Sequence, residues 1–291
     1  MFTQVTIIGF GLIGSSLARS MKQKNLAQTI ICADQAQEVC DYVLKNNLAD
    51  KATTDIASSV QDSDLVILSI PVGVLVDTCR QISPSLKAGA IVTDTGSIKS
   101  SIAQDMQAAL GKDVLCVPAH PIAGTEYSGP EAGFIELFEG RWCIITPLPN
   151  VDVQAVEKVT ALWEACGSTI EIMEPGRHDL ILAITSHLPH LIAYTIVGTA
   201  TELEEDIKGE VIKFSASGFR DFTRIASSDP TMWRDIFLSN KDAVLEILQR
   251  FTEDLTAIQR AIRKSDGEYL YRTFETTRDI RKAIIEAGQA E

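Results

Sequence analysis

The N-terminal stretch Val5-Thr6-Ile7-Ile8-Gly9-Phe10-Gly11-Leu12-Ile13-Gly14-Ser15-Ser16-Leu17 contains an apolar run, a glycine-rich turn and the start of a helix-like segment, in direct succession. This order of strand, G-x-G-x-x-G turn and helix is typical of dinucleotide binding. The first glycine permits the tight turn, the second lets the backbone approach a pyrophosphate, and the third lets the helix pack against the strand. N–H groups at the helix N-terminus bind the phosphates. The predicted cofactor-binding residues here are Gly9, Gly11, Leu12, Ile13 and Gly14.

A second apolar run, Thr29-Ile30-Ile31-Cys32-Ala33, ends at Asp34, about twenty residues after the last glycine of the turn. A carboxylate at this spacing accepts hydrogen bonds from the adenosine ribose. NADP would need a cation for its 2′-phosphate, and the following Gln35-Ala36-Gln37-Glu38 contains none, so the sequence favours NAD. The alternative interpretation is a structural strand, loop and helix that bind no nucleotide.

Composition predicts an ordinary globular protein of two domains. The chain has 291 residues, a formal net charge of −13 and a pI of about 4.8, which argues against nucleic acid and anionic membranes as partners. An anionic substrate would need local cations. The six cysteines show no C-x-x-C spacing, so we expect reduced structural thiols. A strand within five residues of Met1, with no basic leader or cleavage site, indicates a cytoplasmic protein.

Strand-like and helix-like segments alternate as far as residue 174, and long helical periodicity replaces them afterwards, as in 242–263 and 269–286. We therefore predict an α/β fold with a Rossmann-type doubly wound parallel sheet in residues 1–174, followed by an all-helical domain in 175–291. The apolar faces of these later helices exceed what about 115 residues would bury alone. A homodimer through the helical domain would cover them, and packing on the first domain is the alternative.

Three predicted strands deliver polar or rigid residues to the carboxyl edge of the sheet, where open α/β sheets bind ligands. Their ends are Ser69-Ile70-Pro71, Asp94-Thr95-Gly96-Ser97 and Ala119-His120-Pro121. We expect Ser69 and Pro71 to contact the cofactor. We expect Ser97 and His120 to face the same crevice. The alternatives are a helix N-cap for Ser97 and a structural role for His120.

Two histidines, His187 and His190, lie three residues apart in Ser186-His187-Leu188-Pro189-His190, on neighbouring positions of one helix face. A third metal ligand at helical spacing is missing, and hydride chemistry needs no metal, so we expect none. The alternative is packing at a domain seam, with Pro189 kinking the helix. The fourth histidine, His178, receives no role from the sequence.

Arg220 and Arg224 are four residues apart, so in a helix they project from one face as a cationic pair. Arginine is the residue that best binds a carboxylate through two parallel hydrogen bonds. The pair therefore predicts a site for an anionic substrate. Ion pairing with Asp221, Asp229 or nearby glutamates is the alternative.

Five motifs carry a resemblance to a known family. They are GFGLIGSS from Gly9, DTGSIKS around Ser97, HPIAGTE at His120, SHLPH at His187 and His190, and SGFRDFTRIASSDPTMWRDIF from Ser217. In this order and across both predicted domains, they resemble the prephenate/arogenate (cyclohexadienyl) dehydrogenases of tyrosine biosynthesis. The resemblance also implies a dinucleotide-binding domain followed by a helical dimerisation domain.

The resemblance implies an oxidative decarboxylation. A hydride leaves ring C4 of a dianionic cyclohexadiene for NAD, the ring carboxylate leaves as carbon dioxide, and the ring becomes aromatic. Neutral His120 would accept a hydrogen bond or proton from the C4 hydroxyl, Ser97 would orient both groups, and Arg224 would hold a substrate carboxylate. His190 would line the side-chain end of the pocket. The nearby gate or binding residues would be His187, Arg220 and Glu126. For His120 we expect an apparent pKa within about one unit of 6.5, the ordinary value for histidine.

Two other interpretations remain at this stage. A β-hydroxyacid-type NAD dehydrogenase also joins an NAD domain to a helical one, although its Gly-rich helix with a catalytic lysine is not found here. An NAD-sensing protein on the same fold is the non-enzymatic alternative. The sequence does not distinguish prephenate from arogenate. The side chain of prephenate carries a keto group, and that of arogenate carries an amino group in its place.

Overall fold

A computed structural model of the protein describes residues 1–125, 127–201, 213 and 217–286. Within these residues the chain forms nine strands in two sheets. The strands are β1 (Phe2–Ile8), β2 (Ala27–Ala33), β3 (Lys51–Thr53), β4 (Leu65–Leu68), β5 (Ile91–Asp94), β6 (Leu115–Cys116), β7 (Ala119–Pro121), β8 (Trp142–Ile145) and β9 (Thr169–Ile172).

The larger sheet has six strands in the order β3-β2-β1-β4-β5-β6, and every neighbouring pair is parallel. Its central strands are continuous apolar runs because both faces are covered by helices. Alternate residues of β4 belong to two different buried clusters: Leu65 and Ile67 pack in one, and Val66 and Leu68 in the other. The predicted doubly wound parallel sheet is confirmed.

The second sheet has three strands and was not predicted. In it β7 pairs antiparallel with β8, and β8 pairs parallel with β9. The chain leaves the larger sheet after the N–H of Val117 donates to the carbonyl oxygen of Val92 at 2.9 Å. Pro118 follows and has no N–H to continue that ladder, whereas its carbonyl accepts from the N–H of Thr146 at 2.9 Å. His120 therefore lies within β7 of the second sheet, opposite Ile144. Its predicted position at the end of a strand in the larger sheet is wrong.

The helices are α1 (Leu12–Gln23), α2 (Gln37–Lys45), α3 (Ile56–Ser59), α4 (Leu75–Ile82), α5 (Ser100–Leu110), α6 (Val153–Ala165), α7 (Pro175–Leu182), α8 (Leu188–Thr201), α9 (Ser217–Thr223), α10 (Pro230–Ser239), α11 (Lys241–Arg263) and α12 (Gly267–Glu286). The bounds of α5 and α6 are those that the sequence pattern predicts, a helix from Ser100 to Leu110 and one from Val153 to Ala165. The sequence pattern also predicts a helix from about Val72; the chain there forms a 3₁₀ turn over Val72–Val74 and becomes α-helical at Leu75. All six cysteines are free and buried, as expected.

A single turn of π-helix, Ala183–His187, connects α7 to α8. Pro189 follows in the first turn of α8, and because it has no N–H to donate to the preceding turn, the regular α-helical hydrogen-bond pattern is interrupted where the π-turn lies. The continuous helical stretch Pro175–Ala200 is long and apolar enough to cross a membrane by length and composition, a test that helices of soluble proteins also pass.

The contacts divide the chain into two compact units, Met1–Ala243 and Val244–Glu291. The first unit contains both sheets and the helices up to α10. The described part of the second unit, residues 244–286, is helical throughout except for the turn between α11 and α12. A domain boundary at residue 174/175 marks the change from strands to helices and stays a prediction.

Candidate active site

The glycine-rich turn has the geometry that pyrophosphate binding requires. Gly9 has φ +87°, and a Cβ there would lie 2.4 Å from the carbonyl oxygen of Ser69. A Cβ on Gly14 would lie 2.1 Å from the carbonyl oxygen of Gly9, so the helix sits directly against the turn. A Cβ on Gly11, by contrast, would meet no atom within 4 Å. Gly11 is also the N-cap of α1, which begins at Leu12, so the open space lies at a helix N-terminus that binds phosphates.

Asp34 follows β2 and holds the glycine-rich turn from the other side. Its carboxylate accepts the N–H of Phe10 at 2.9 Å and the N–H of Ala36 at 3.0 Å. Because the carboxylate is only partly buried, it has further lone pairs for ribose hydroxyls. Ser69 is partly buried beyond the end of β4, and its hydroxyl lies 3.3 Å from that of Thr95. These features, at the carboxyl ends of β1, β2, β4 and β5, fit the residues that NAD binding would need.

His120 is buried and contacts another histidine. Its Nδ1 lies 2.8 Å from Nε2 of His178, with the two rings edge to face. Burial holds the pKa of His120 well below the ordinary 6.5, and the nearby His178, Lys99 and His187 lower it further. His120 is therefore neutral at pH 7, and the expectation of a pKa near 6.5 is wrong because burial disfavours the imidazolium.

His178 and Asp179 are the site residues that the sequence analysis missed. Nδ1 of His178 lies 2.7 Å from a carboxylate oxygen of Asp179. The same carboxylate accepts the N–H of Lys99 at 2.9 Å and the N–H of Ser100 at 2.8 Å, so it caps the N-terminus of α5 from a different helix. All of these side chains except that of Ser100 are buried. A His-Asp dipeptide in the first helix after residue 174 was the available signal.

The loop that carries Ser97 is held at both ends. At its start, the carboxylate of Asp94 pairs with the ammonium of Lys99 and accepts the N–H of Gly96 at 2.8 Å. At its end, Asp179 caps α5. The N-cap of α5 is Lys99, so the structure does not support Ser97 as the cap. Ser97 is partly buried in this loop, and its position beside His120 stays a prediction.

The second pair of histidines, His187 and His190, packs against the indole ring of Trp233. The ring of His190 stacks on that of Trp233 at 3.6 Å between centroids, and the ring of His187 meets the same indole edge to face at 6.1 Å. Nδ1 of His187 lies 3.1 Å from the side-chain nitrogen of Asn240, which also donates to the backbone carbonyl of Asp179 at 2.8 Å. His187 is thus linked to the helix that holds His178.

Arg220 and Arg224 do not share one α-helix. Helix α9 ends at Thr223, and Arg224 begins a 3₁₀ turn over Arg224–Ser227, so the assumed four-residue α-helical spacing does not apply. Arg224 lies near His190, whose pKa is lowered mainly by burial and further by the charge of Arg224. Both arginines are exposed. Glu126 lies outside the described residues.

Comparison with known proteins gives the family. The nucleotide-binding domain of prephenate dehydrogenases matches residues 17–172, and the dimerization domain of the same family matches residues 174–276. The chain belongs to the prephenate dehydrogenase family. Cyclohexadienyl dehydrogenase of Zymomonas mobilis is 40% identical over 98% of this chain and 97% of its own length.

Two solved structures of relatives are also similar along the whole chain. Prephenate dehydrogenase from Aquifex aeolicus, crystallised with hydroxyphenyl propionate and NAD+, has a TM-score of 0.92 and 34% identity, and covers 98% of this chain and 99% of its own. Arogenate dehydrogenase from Synechocystis has a TM-score of 0.82 and 26% identity, and covers 97% and 99%.

Membership of this family confirms an NAD-dependent dehydrogenase. The family match extends over both predicted domains, which neither the β-hydroxyacid dehydrogenases nor an NAD-sensing protein would explain. The geometry of the glycine-rich turn and of Asp34 is compatible with NAD, and their assignment as cofactor-binding residues stays a prediction. The residues His120, Ser97, His187, His190 and Arg224 all belong to the first compact unit.

Proposed function

We propose that the protein oxidatively decarboxylates prephenate and L-arogenate in tyrosine biosynthesis, giving 4-hydroxyphenylpyruvate and L-tyrosine. The observation that carries this proposal is the buried His120. It is neutral at pH 7 and bonded through Nδ1 to His178, so its other nitrogen is available for a hydroxyl group. Support for the substrates comes from the relatives, which are named cyclohexadienyl, prephenate and arogenate dehydrogenases.

In the proposed reaction, the glycine-rich turn and Asp34 would hold NAD, which would supply the acceptor for the hydride that leaves ring C4. His120 accepts the hydrogen of the C4 hydroxyl and so stabilises the developing carbonyl character at C4. Loss of the ring carboxylate as carbon dioxide then leaves an electron pair that makes the ring aromatic, and the phenolic oxygen takes its proton back. Ser97 orients the hydroxyl and His120. The products are the aromatic acid, carbon dioxide and NADH, so atoms and electrons balance.

The remaining parts of the proposal concern the molecule as a whole. Residues 1–174 bind the cofactor, and residues 175–291 bind the substrate side chain and form a homodimer in the cytoplasm, with no nucleic-acid or membrane partner. Support for the dimer comes from the match to a dimerization domain and from apolar side chains left more than half exposed in the second compact unit. They include Leu245, Leu255, Ile262, Phe274, Ile280 and Ile285.

Arg224 is proposed to hold a substrate carboxylate, while Arg220 lies further from the reacting ring. The net charge of −13 means that a dianion needs a local cation. A charge-assisted hydrogen bond contributes about 1.5–3 kcal/mol, so Arg224→Gln should raise KM for the substrate at least tenfold, on the order of 1.4 kcal/mol, and leave NAD binding unchanged. Steady-state kinetics would measure this. Arg220→Gln should have a smaller effect.

A matched control is Arg234→Gln, since the exposed Arg234 pairs with its neighbour Asp235 in α10. This variant should leave KM unchanged. A larger rise in KM for Arg220→Gln than for Arg224→Gln would show that the two arginines have been assigned the wrong way round.

His190 bears on the choice between the two substrates. Its Nδ1 lies 2.9 Å from the carbonyl oxygen of Ser186, which only accepts, so Nδ1 carries the hydrogen. Burial lowers the pKa of His190, so the ring is neutral at pH 7 and its Nε2 is an acceptor. An acceptor at the side-chain end suits the ammonium of arogenate better than the keto oxygen of prephenate.

The experiment that tests the proposed function is steady-state kinetics of both substrates with NAD, following NADH and carbon dioxide together. We expect turnover of both, with a higher kcat/KM for arogenate near neutral pH. Absence of carbon dioxide release with either substrate would reject the proposed reaction. A preference for prephenate would reject only the assignment of His190.

A further inference from the structure

Two hydrogen bonds link His120 to His178 and His178 to Asp179. The carboxylate of Asp179 determines which atom donates in each of them. The carboxylate of Asp179 only accepts hydrogen bonds, and it already accepts two backbone N–H groups at the N-terminus of α5. Nδ1 of His178, 2.7 Å from this carboxylate, must therefore carry a hydrogen. Both groups are buried, so no solvent competes for the bond.

The state of His178 then determines the state of His120. Burial lowers the pKa of His178, so at pH 7 its ring is neutral and, with the hydrogen on Nδ1, its Nε2 is an acceptor. The partner of that Nε2 at 2.8 Å is Nδ1 of His120, which must then donate. A neutral His120 that carries its hydrogen on Nδ1 has an unprotonated Nε2.

We propose that His178 and Asp179 are positioning residues that fix the tautomer of His120, so that its Nε2 is always the hydrogen-bond acceptor. An imidazole without such a partner exchanges between two tautomers, and only one of them can accept the hydrogen of a substrate hydroxyl. The dyad also orients the ring, because a hydrogen bond at Nδ1 limits rotation about the side chain. Its catalytic consequence rests on the proposed function, whereas the tautomer itself does not.

The opposite arrangement is a charged dyad, in which His178 is an imidazolium beside ionised Asp179. Its Nε2 would then donate to Nδ1 of His120, and the hydrogen of neutral His120 would move to Nε2. The ring would present a donor where an acceptor is needed. The buried ammonium of Lys99, which pairs with Asp94 nearby, opposes a second positive charge at His178.

The dyad has a second role when His120 takes up a proton at Nε2. The imidazolium that forms is buried, and its Nδ1–H donates to His178, which in turn donates to the carboxylate of Asp179. A hydrogen-bonded carboxylate at the end of the chain offsets part of the charge of the buried imidazolium. No proton needs to leave His120 for this stabilisation.

Two substitutions of His178 separate the tautomer effect from a loss of packing. In His178→Gln the side-chain NH₂ can donate to Asp179 while the side-chain carbonyl accepts from Nδ1 of His120, so the direction of both hydrogen bonds is kept. In His178→Leu the volume is largely retained but no acceptor remains. The leucine variant should therefore lose the fixed tautomer, and the glutamine variant should keep most of it.

The test is ¹⁵N NMR of the histidine-labelled protein with NAD bound, with His120→Asn used to assign the His120 resonances. We expect wild-type His120 to be protonated at Nδ1 and unprotonated at Nε2, His178→Leu to show both tautomers, and His178→Gln to resemble the wild type. In kinetics, His178→Leu should lower kcat at least tenfold with KM for NAD unchanged, and His178→Gln should recover most of that loss.

The result that would overturn the proposal is wild-type His120 protonated at Nε2, which remains decisive even if a variant does not fold. A single Nδ1–H tautomer in folded His178→Leu would overturn it as well. If the tautomers are as expected but neither prephenate nor arogenate is turned over, the proposed function fails and the assignment of the tautomer stands.

Discussion

Asp34 shows how one carboxylate can serve both the fold and the cofactor. It accepts hydrogen bonds from the backbone of the glycine-rich turn and of the β2–α2 loop, and we predict that its remaining lone pairs accept from the adenosine ribose. Replacing Asp34 with Ser should remove the repulsion of a 2′-phosphate. We expect the ratio of kcat/KM for NADP over NAD to rise tenfold or more, about 1.4 kcal/mol. Steady-state kinetics with both cofactors measures it.

Asp34→Asn is the matched control for this effect, since it keeps the size of the side chain and removes only the charge. It should shift the ratio in the same direction. A wild-type enzyme that already prefers NADP would contradict the role given to Asp34.

If His120 acts as proposed, the fall of activity at acid pH reports its environment. The neutral ring is the active form in the proposed reaction, so activity is present above its pKa and is lost as the pH falls through that pKa. Since burial holds this pKa well below 6.5, kcat/KM should stay flat from about pH 8 to below 6.5 and fall only at more acid pH. His120→Asn should lower kcat roughly 10²–10⁴-fold.

His120→Asn is also the control for assigning this pH dependence to His120. The residual activity of the variant should no longer fall at the same acid pH. If kcat/KM of the wild type instead falls with an apparent pKa of 6.5 or above, either His120 is not buried in the working enzyme or another group controls activity.

The sequence predicts the residues of this site only where a local pattern places them. The glycine-rich turn and Asp34 belong to one strand-turn-helix-strand unit, so spacing alone locates them. His178 contacts His120 across 58 positions of sequence, and no local pattern connects the two. The role of His178 becomes visible only when α7 packs against the start of α5.

At the scale of elements, apolar runs predict where strands lie but not which sheet they join. The bounds of α5 and α6 follow from helical periodicity and local end signals. The move of β7 into a second sheet depends on backbone pairing with β8, more than twenty residues later in the chain. Pro118 is the local sign of that move, since a proline cannot continue the ladder.

The π-turn between α7 and α8 sets the relative orientation of the site histidines. His187 lies at its last position, and His190 lies one turn into α8 after Pro189. Pro189→Ala restores an N–H that favours a continuous α-helix through this region. We expect an unchanged or higher Tm together with a several-fold rise in KM for the substrate, because the contacts of the two rings with Trp233 would shift.

Calorimetry and steady-state kinetics on the same preparation would test this expectation. Leu191→Ala offers a control that shortens a side chain in α8 without changing its backbone N–H groups. An unchanged KM for Pro189→Ala would show that the π-turn does not depend on the proline.

For the whole molecule, the buried histidines make stability depend on acid pH. His120, His178 and His187 are all buried, and burial lowers the pKa of each, that of His187 to about 4. The unfolded chain takes up protons at these rings below about pH 6.5, whereas the folded protein does not. The stability of the fold is therefore greatest above pH 6.5 and falls as the pH decreases toward the folded pKa values.

For His187 alone the shift corresponds to roughly 3 kcal/mol of unfolding free energy lost between about pH 6.5 and pH 4. We expect urea unfolding of the wild type to show a steep decline in this range. His187→Gln keeps an acceptor for Asn240 but has no titrating ring, so its decline should be shallower. Carboxylates titrate equally in both proteins, and the difference between the two curves therefore isolates the histidine. Parallel curves for the two proteins would mean that His187 has the same pKa in the folded and unfolded chains.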